Sequence, residues 1–290
     1  MKKIVLTFML CFSLFSVPFI SHADSAPGDV IITWGENLSE QQKAALLSEM
    51  GDVKEPLEVY VTNKEEHQYL GNYISKAKIG TRAISSSKIT IGEENSGLKV
   101  TTNKINWVTE EMYVNAMTTA GVKDAEVYVT APFAVSGTAA LTGILKAYET
   151  TTNIKIPEEQ KQVANEEMVK TATLSEKVGD EKAVQFMNEI KQEIANNKPG
   201  SVQELKDLIT NEAQQFNIPL SQAEIDGLVS LFDKMKDLNI DWNAVGKNLE
   251  IAKDKFDEIM QQEETKNLIS SLGDFFGRLV EIISGWFSSK

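Results

Sequence analysis

The chain has 290 residues, a formal net charge of −13 and a single cysteine, Cys11. Its only arginines are Arg82 and Arg278. A chain this acidic, with no cluster of cations to displace counterions from a phosphate backbone, is excluded as a nucleic-acid binder.

The first 23 residues have the three parts of a secretion signal. Lys2 and Lys3 form the positive region, Ile4–Phe15 the apolar run, and Ser21-His22-Ala23 puts small residues at both recognition positions, so cleavage is expected before Asp24. The apolar run is shorter than the roughly 18–20 residues of a spanning helix. Phe8-Met9-Leu10 ahead of Cys11 lacks the small residues of a lipid-attachment site. Removing residues 1–23 takes away two lysines and no acid, leaving 267 residues with a net charge of −15, no cysteine and one histidine, His67. Disulfides are then impossible, and packing alone must hold the mature chain.

Residues 24–150 alternate between strand and helix signals. Val30-Ile31-Ile32 between Gly28 and Gly35 reads as a buried strand. Ser39 caps a helix that uses Ala44, Leu47 and Met50 and stops at Gly51. Leu57–Val61 alternates as a second strand, and Thr62 with Glu65 has capping-box spacing ahead of a helix carrying His67, Tyr69, Leu70 and Tyr73. Lys88–Ile91, the turn Glu94-Asn95-Ser96-Gly97 and Leu98–Val100 read as an antiparallel hairpin. Thr109 caps a helix through Met112, Ala116 and Met117 that stops at Gly121. A strand within Asp124–Thr130 must end at Pro132, which has no amide hydrogen to give a sheet. Ser136 fits the N-cap of the next helix, where Gly137, Ala139, Ala140 and Gly143 leave room for close packing.

Beyond a boundary expected near residues 151–156 no strand signal is found. Pro157 suits a first helical turn. Ala183, Met187, Ile190 and Ile194 form one stripe, ended by Lys198-Pro199-Gly200. Capping boxes at Ser201/Glu204 and Ser221/Glu224 open two more helices, and Trp242, Val245, Leu249, Phe256 and Met260 continue the pattern. Residues 157–265 are therefore expected to form three or four antiparallel helices. The last segment, 266–290, is strongly two-faced. Leu268, Leu272, Phe275, Phe276, Leu279, Ile283, Trp286 and Phe287 oppose Ser271, Asp274, Arg278 and Glu281. Two uses fit it: docking on the helical domain or on a second copy, or lying in a membrane interface with Trp286 among the headgroups. The fold class expected is α+β: a mixed α/β N-terminal domain with a hairpin, followed by an all-α helical domain.

Gly28-Asp29-Val30, Val61-Thr62-Asn63-Lys64-Glu65-Glu66, Arg82-Ala83-Ile84-Ser85-Ser86, Thr119-Ala120-Gly121-Val122 and the run Ala131–Tyr148 stand in the order of a known set of proteins. In these words the chain resembles the YpuA-like family, a group of secreted Gram-positive proteins of unknown function. The resemblance covers nearly the whole mature chain, most closely Gly28–Glu149. It implies export and residence at the cell envelope, and it supplies no catalytic residues to carry over.

Side chains with chemical potential are few. His67 would have to serve any Ser-His-Asp arrangement, and the other reading is a histidine on a helix surface. Arg82 with Ser85, Ser86 and Ser87 offers a two-pronged cation and hydroxyl donors to a phosphate or a sugar carboxylate, or else forms a polar sheet edge. Ser136 and Thr138 at a helix start offer a second anion site, or else a cap with tight packing. Val135-Ser136-Gly137 is not the G-x-S-x-G of a nucleophile elbow. Phosphate loops, dinucleotide loops and EF-hands do not occur in the sequence, and no metal or cofactor is expected: Asp29, Glu36, Glu93 and Glu94 could gather a calcium ion, but acidic loops of this kind are usually solvated.

The expected function is that of a secreted, cell-envelope-associated, non-enzymatic binding or interaction module, whose partner is an envelope component or a protein. One alternative is a hydrolase of cell-wall polymer or phosphate esters acting through Arg82, the serine cluster and Ser136. The other is a structural protein that self-associates, or touches a membrane peripherally, through residues 268–287.

Overall fold

The computed structural model describes residues 26–242 apart from 52, 54, 55 and 239. The signal segment and the two-faced segment with Leu272, Phe275, Phe276, Leu279, Ile283, Trp286 and Phe287 lie outside the described residues, as does most of the helix expected from Trp242 onward. An N-terminal mixed α/β region is followed by an all-helical region, as the sequence predicts.

Five strands build one sheet: β1 (Val30–Gly35), β2 (Leu57–Val61), β3 (Ser86–Ile91), β4 (Leu98–Thr102) and β5 (Ala125–Thr130), in the order β2-β1-β3-β5-β4. The β1–β2 and β4–β5 pairs are parallel, and the β1–β3 and β3–β5 pairs are antiparallel. This corrects the hairpin in one respect. The chain does reverse between β3 and β4, but the two strands are not hydrogen-bonded to each other, because β5 lies between them. The connecting loop wraps around Asp124, which enters β5 with φ 47°. Its carbonyl accepts from Gly92 N at 2.6 Å and its carboxylate from Gly97 N at 2.8 Å. A turn signal fixes the reversal locally, and a segment some thirty residues later decides the pairing.

Strand alternation divides the sheet into two faces. Ile31, Val59, Ile89, Val100, Val127 and Val129 point into the larger core beneath α4 (Glu110–Thr119) and α5 (Thr138–Thr152). Ile32 and Trp34 point the other way, with Leu46 of α1 (Glu40–Glu49) and its C-cap Met50. Gly143 of α5 lies so close to the sheet that a Cβ there would sit 2.8 Å from Thr33 Oγ1 and 2.9 Å from Val61 Cγ2. The capping boxes at Ser39/Gln42 and Thr62/Glu65 are both closed, the second opening α2 (Asn63–Leu70). A short helix, α3 (Lys76–Ile79), precedes β3.

Among the described residues the helical region consists of α6 (Glu158–Val178), α7 (Asp180–Asn197), α8 (Val202–Gln215) and α9 (Gln222–Asp237). Each packs on the next and α9 returns to α6, closing a ring around Phe186, Ile190, Leu205, Ile209 and Phe232. Phe186 and Phe216 meet edge to face with centroids 5.9 Å apart. The helix α6 belongs to both regions. Val163 and Leu174 enter the helical core, whereas Ala164, Met168 and Ala172 enter the core beneath the sheet.

Candidate functional site

The hydroxyls expected to grip an anion are held by the fold. Ser85, Ser86 and Ser87 are buried. Ser87 Oγ lies 2.7 Å from Thr33 Oγ1, and Ser86 Oγ accepts from Gly35 N at 3.3 Å and donates to Ile84 O at 3.4 Å. Arg82 is exposed and donates to the Asn37 carbonyl at 3.1 Å. Strand alternation and the sheet interior separate these groups. His67 is half-buried, with Nε2 2.9 Å from the Gly80 carbonyl.

Ser136 and Thr138 do come together, with their hydroxyls 3.2 Å apart. The N-cap of α5 is Gly137 rather than Ser136. Gly137 has φ 91°, and a Cβ there would meet Tyr113 Oη at 2.4 Å, so this turn demands glycine. The phenol of Tyr113 donates to the Gly137 carbonyl at 2.6 Å. An acid already faces the helix start. Glu66 is 2% exposed and accepts from Thr138 Oγ1 at 2.6 Å and from Asn63 Nδ2 at 3.2 Å. Burial raises its pKa against those two hydrogen bonds. The N-terminal end of α5 thus has its own carboxylate, which favours that end of a helix dipole.

A different place gathers charges around an opening. A cavity of about 210 Å³ lies where α2, α5 and α6 meet, lined by Glu65, Tyr69, Thr142, Leu145, Lys146, Glu149, Lys161 and Asn165. Helical spacing explains the grouping. Glu65 and Tyr69 are four apart on α2, Thr142, Lys146 and Glu149 share one side of α5, and Lys161 and Asn165 are four apart on α6. The capping box orients Glu65, whose second oxygen accepts from Thr62 N at 2.8 Å.

Every charge in this wall has an opposite neighbour. Lys146 Nζ donates to Glu65 Oε1 at 2.7 Å and to the Tyr60 carbonyl at 2.9 Å. Lys161 Nζ lies 3.2 Å from Glu149 Oε2 and 3.1 Å from Glu158 Oε2. Glu149 Oε1 also accepts from Ile156 N at 2.8 Å, which ties the entry of α6 to the end of α5. Burial pushes Glu65 upward, but the Lys146 ammonium and the Thr62 donors outweigh it and hold the carboxyl below its usual range. Burial pushes Lys161 downward, and Glu158 and Glu149 outweigh it in turn, so its pKa is raised. Tyr69 is raised mainly by burial and stays a phenol, donating to Glu158 Oε2 at 3.3 Å.

Two residues of the lining carry an oxygen that solvent does not reach. Thr142 Oγ1 and Asn165 Oδ1 are buried and have no hydrogen-bond partner in the protein. The residues are 4% and 0% exposed. The Asn165 amide nitrogen is committed to the Lys161 carbonyl at 2.8 Å, which leaves its carbonyl oxygen as an acceptor without a donor. A buried polar atom left in this way is costly unless something else meets it. Sequence reasoning missed Lys146, Glu149, Lys161 and Asn165 because the wall draws on three separate segments. The signal was the four-residue pairing of polar groups on successive helices. Among the described residues no three His, Cys, Asp or Glu side chains are placed to hold a metal, and no helix is long and apolar enough to cross a membrane.

Comparison with known proteins agrees with the words read in the sequence. The chain is similar to the "Uncharacterized protein YpuA" of Bacillus subtilis (strain 168), 50% identical over 264 residues that cover 91% of this chain and 91% of the relative. No solved structure matches it. A family model described as "Protein of unknown function (DUF1002)" matches residues 34–252, which include the end of β1, strands β2 to β5, the α2–α5–α6 cleft and the ring of helices. With that much of its length matched, the chain belongs to the DUF1002 family.

Proposed function

We propose that the chain is an exported, cell-envelope-associated binding module that holds a small polar ligand in the α2–α5–α6 cleft without turning it over. The observation that carries this reading is a cleft of about 210 Å³ walled from three helices by two ion pairs, Lys146 with Glu65 and Lys161 with Glu149. Polar groups held by helices around one concave space are what a site for a small polar ligand presents. A nucleophile activated by a base needs the two within hydrogen-bond reach. The lining holds no histidine, and its phenol, Tyr69, is raised above its ordinary value. Export is supported by the positive, apolar and small-residue regions of residues 1–23.

The test uses mature chain, residues 24–290, dialysed against a digest of Gram-positive cell wall, with the retained compounds identified by mass spectrometry. A small polar compound retained by the native chain, released unaltered and lost in Lys146→Met supports the reading. A chemically altered product that accumulates with time supports the hydrolase instead. Retention that is unchanged in Lys146→Met removes the cleft from the function.

A further inference from the structure

We propose that Asn103, Lys104, Tyr128 and Thr130 form a carboxylate-binding site on the α1 side of the sheet, which Glu49 fills from within the chain and which an external carboxylate takes over by displacing α1. The site is separate from the α2–α5–α6 cleft. Its chemistry is on display, because a carboxylate occupies it. The Lys104 ammonium donates to Glu49 Oε2 at 2.8 Å. Asn103 Nδ2, the Tyr128 hydroxyl and the Thr130 hydroxyl donate to Oε1 at 2.8, 3.0 and 2.5 Å. One cation and three neutral donors match a monoanion.

The donors are held independently of α1. Tyr128 and Thr130 are two apart on β5, so they project from one face of the sheet. Asn103 and Lys104 follow β4 and are tied down by backbone bonds: Asn103 N donates to the Val129 carbonyl at 2.9 Å, and the Lys104 carbonyl accepts from Val135 N at 3.0 Å. Lys104 has φ 59°, a left-handed conformation that is costly for a residue with a β-carbon. Strain of this kind, kept beside the ammonium that the loop presents, marks a built site.

Glu49 uses the four donors unevenly. Three converge on one oxygen, which has two lone pairs, and a single donor meets the other. A side chain fixed to a helix cannot correct this, whereas a free carboxylate can shift until the donors are shared. The grip of α1 is otherwise slight. Leu46 is its one buried residue among ten, and the Lys88 ammonium holds the C-cap through the Met50 carbonyl at 2.5 Å. Solvent reaches the site, the Glu49 side chain being 23% exposed and that of Lys104 38%. Displacement would lift the end of α1 from Ile32 and Trp34, which lie buried with Leu46.

The probes are acetate, N-acetylalanine, its uncharged amide and inorganic phosphate. They are titrated calorimetrically into mature chain, residues 24–290, native and Glu49→Ala, with circular dichroism to confirm folding. Glu49→Ala should bind a carboxylate at least about tenfold more tightly than native chain, where the tethered acid competes at an effective concentration on the order of millimolar. Adding Lys104→Met should weaken that binding about tenfold, the worth of one charged hydrogen bond. Equal affinity for acetate and N-acetylalanine assigns the site to small free acids, and a clear preference for N-acetylalanine assigns it to a peptide terminus. A second measurement needs no variant. Excess acetate, or N-acetylalanine, should speed amide hydrogen exchange of Glu40–Glu49 in native chain, and chloride at equal ionic strength should not. Folded Glu49→Ala that binds neither carboxylate overturns the proposal, and so does equal binding by native chain or binding indifferent to Lys104→Met. Tighter binding of phosphate or of the amide overturns the carboxylate assignment. Exchange in α1 that the acids and chloride alter alike overturns the displacement.

Discussion

Lys191 of α7 and Glu167 of α6 form an ion pair at 2.8 Å with side chains 0% and 1% exposed. The same ammonium reaches Thr119 Oγ1 at 3.0 Å, and that hydroxyl donates to the other Glu167 oxygen. Gln160 Nε2 then donates to the Thr119 carbonyl at 2.8 Å. A buried, hydrogen-bonded polar knot thus sits where α4 of the sheet region meets α6 and α7 of the helical region. Removing one charge strands the other out of water. Lys191→Met should therefore cost about 3–5 kcal/mol in urea unfolding, and Lys191→Met with Glu167→Leu should recover most of that loss.

The Gly143 contact with Thr33 and Val61 leads to a second expectation. Gly143→Ala should raise helix propensity yet destabilise the protein by about 1–3 kcal/mol, because the added carbon has to displace Thr33 and Val61 or tilt α5 off the sheet. Thermal unfolding checks the sign. A stabilised variant would mean that α5 is seated less tightly than described.

Stability should fall at both ends of the pH scale, for opposite reasons. Burial works upward on Glu49, but Lys104, Thr130, Asn103 and Tyr128 outweigh it and hold the carboxyl at about 2. Its contribution is present above its unfolded value and is lost as pH falls from about 4.5 through about 2. Glu212 goes the other way. Burial, then Glu189 and Glu193, raise it to about 7, so the stability linked to its proton is complete below about 4.5 and lost as pH rises through about 7. Midpoints of urea unfolding across pH 2–9 should peak between these limits. Glu212→Gln should flatten the alkaline limb, and Glu49→Gln the acid limb.

Arg82 and Ser136 provide the control for the cleft. Arg82 is exposed and bonded to one carbonyl, so Arg82→Ala should change stability by no more than about 0.5 kcal/mol and leave ligand retention by the α2–α5–α6 cleft unchanged. Ser136→Ala should likewise spare binding, since its hydroxyl meets only Thr138. Loss of binding in either variant would move the functional site to the start of α5.

Local chemistry was the readable part of this fold. Thr62 with Glu65 and Ser221 with Glu224 announce their helices because a cap needs only residues three apart, and both boxes are closed. Ser136 was one residue out because Tyr113, which is distant in sequence, requires glycine at the cap. The place of β5 between β3 and β4 was hidden for the same reason: neither strand says what will arrive between them. The helix α6 showed no clean stripe, since packing on two sides buries Asn165, Glu166, Glu167 and Thr171 beside its apolar residues. Glu166 is accommodated by Lys170, one turn on in the same helix at 3.6 Å, and by Lys234 at 2.8 Å, a partner that only the folded chain supplies. The cleft needed three helices to be assembled before its residues became neighbours.

The insertion of β5 also dictates an order of assembly. β4 is hydrogen-bonded to β5 alone, so a nascent chain that has not yet delivered Ala125–Thr130 holds β4 with no partner and β3 with one open edge. Such a chain presents two sticky rims facing a vacant slot. Synthesis from the N-terminus keeps it in that unfinished condition until β5, the eighth element after β1, has emerged, which makes early closure of the sheet a topological difficulty rather than a matter of timing.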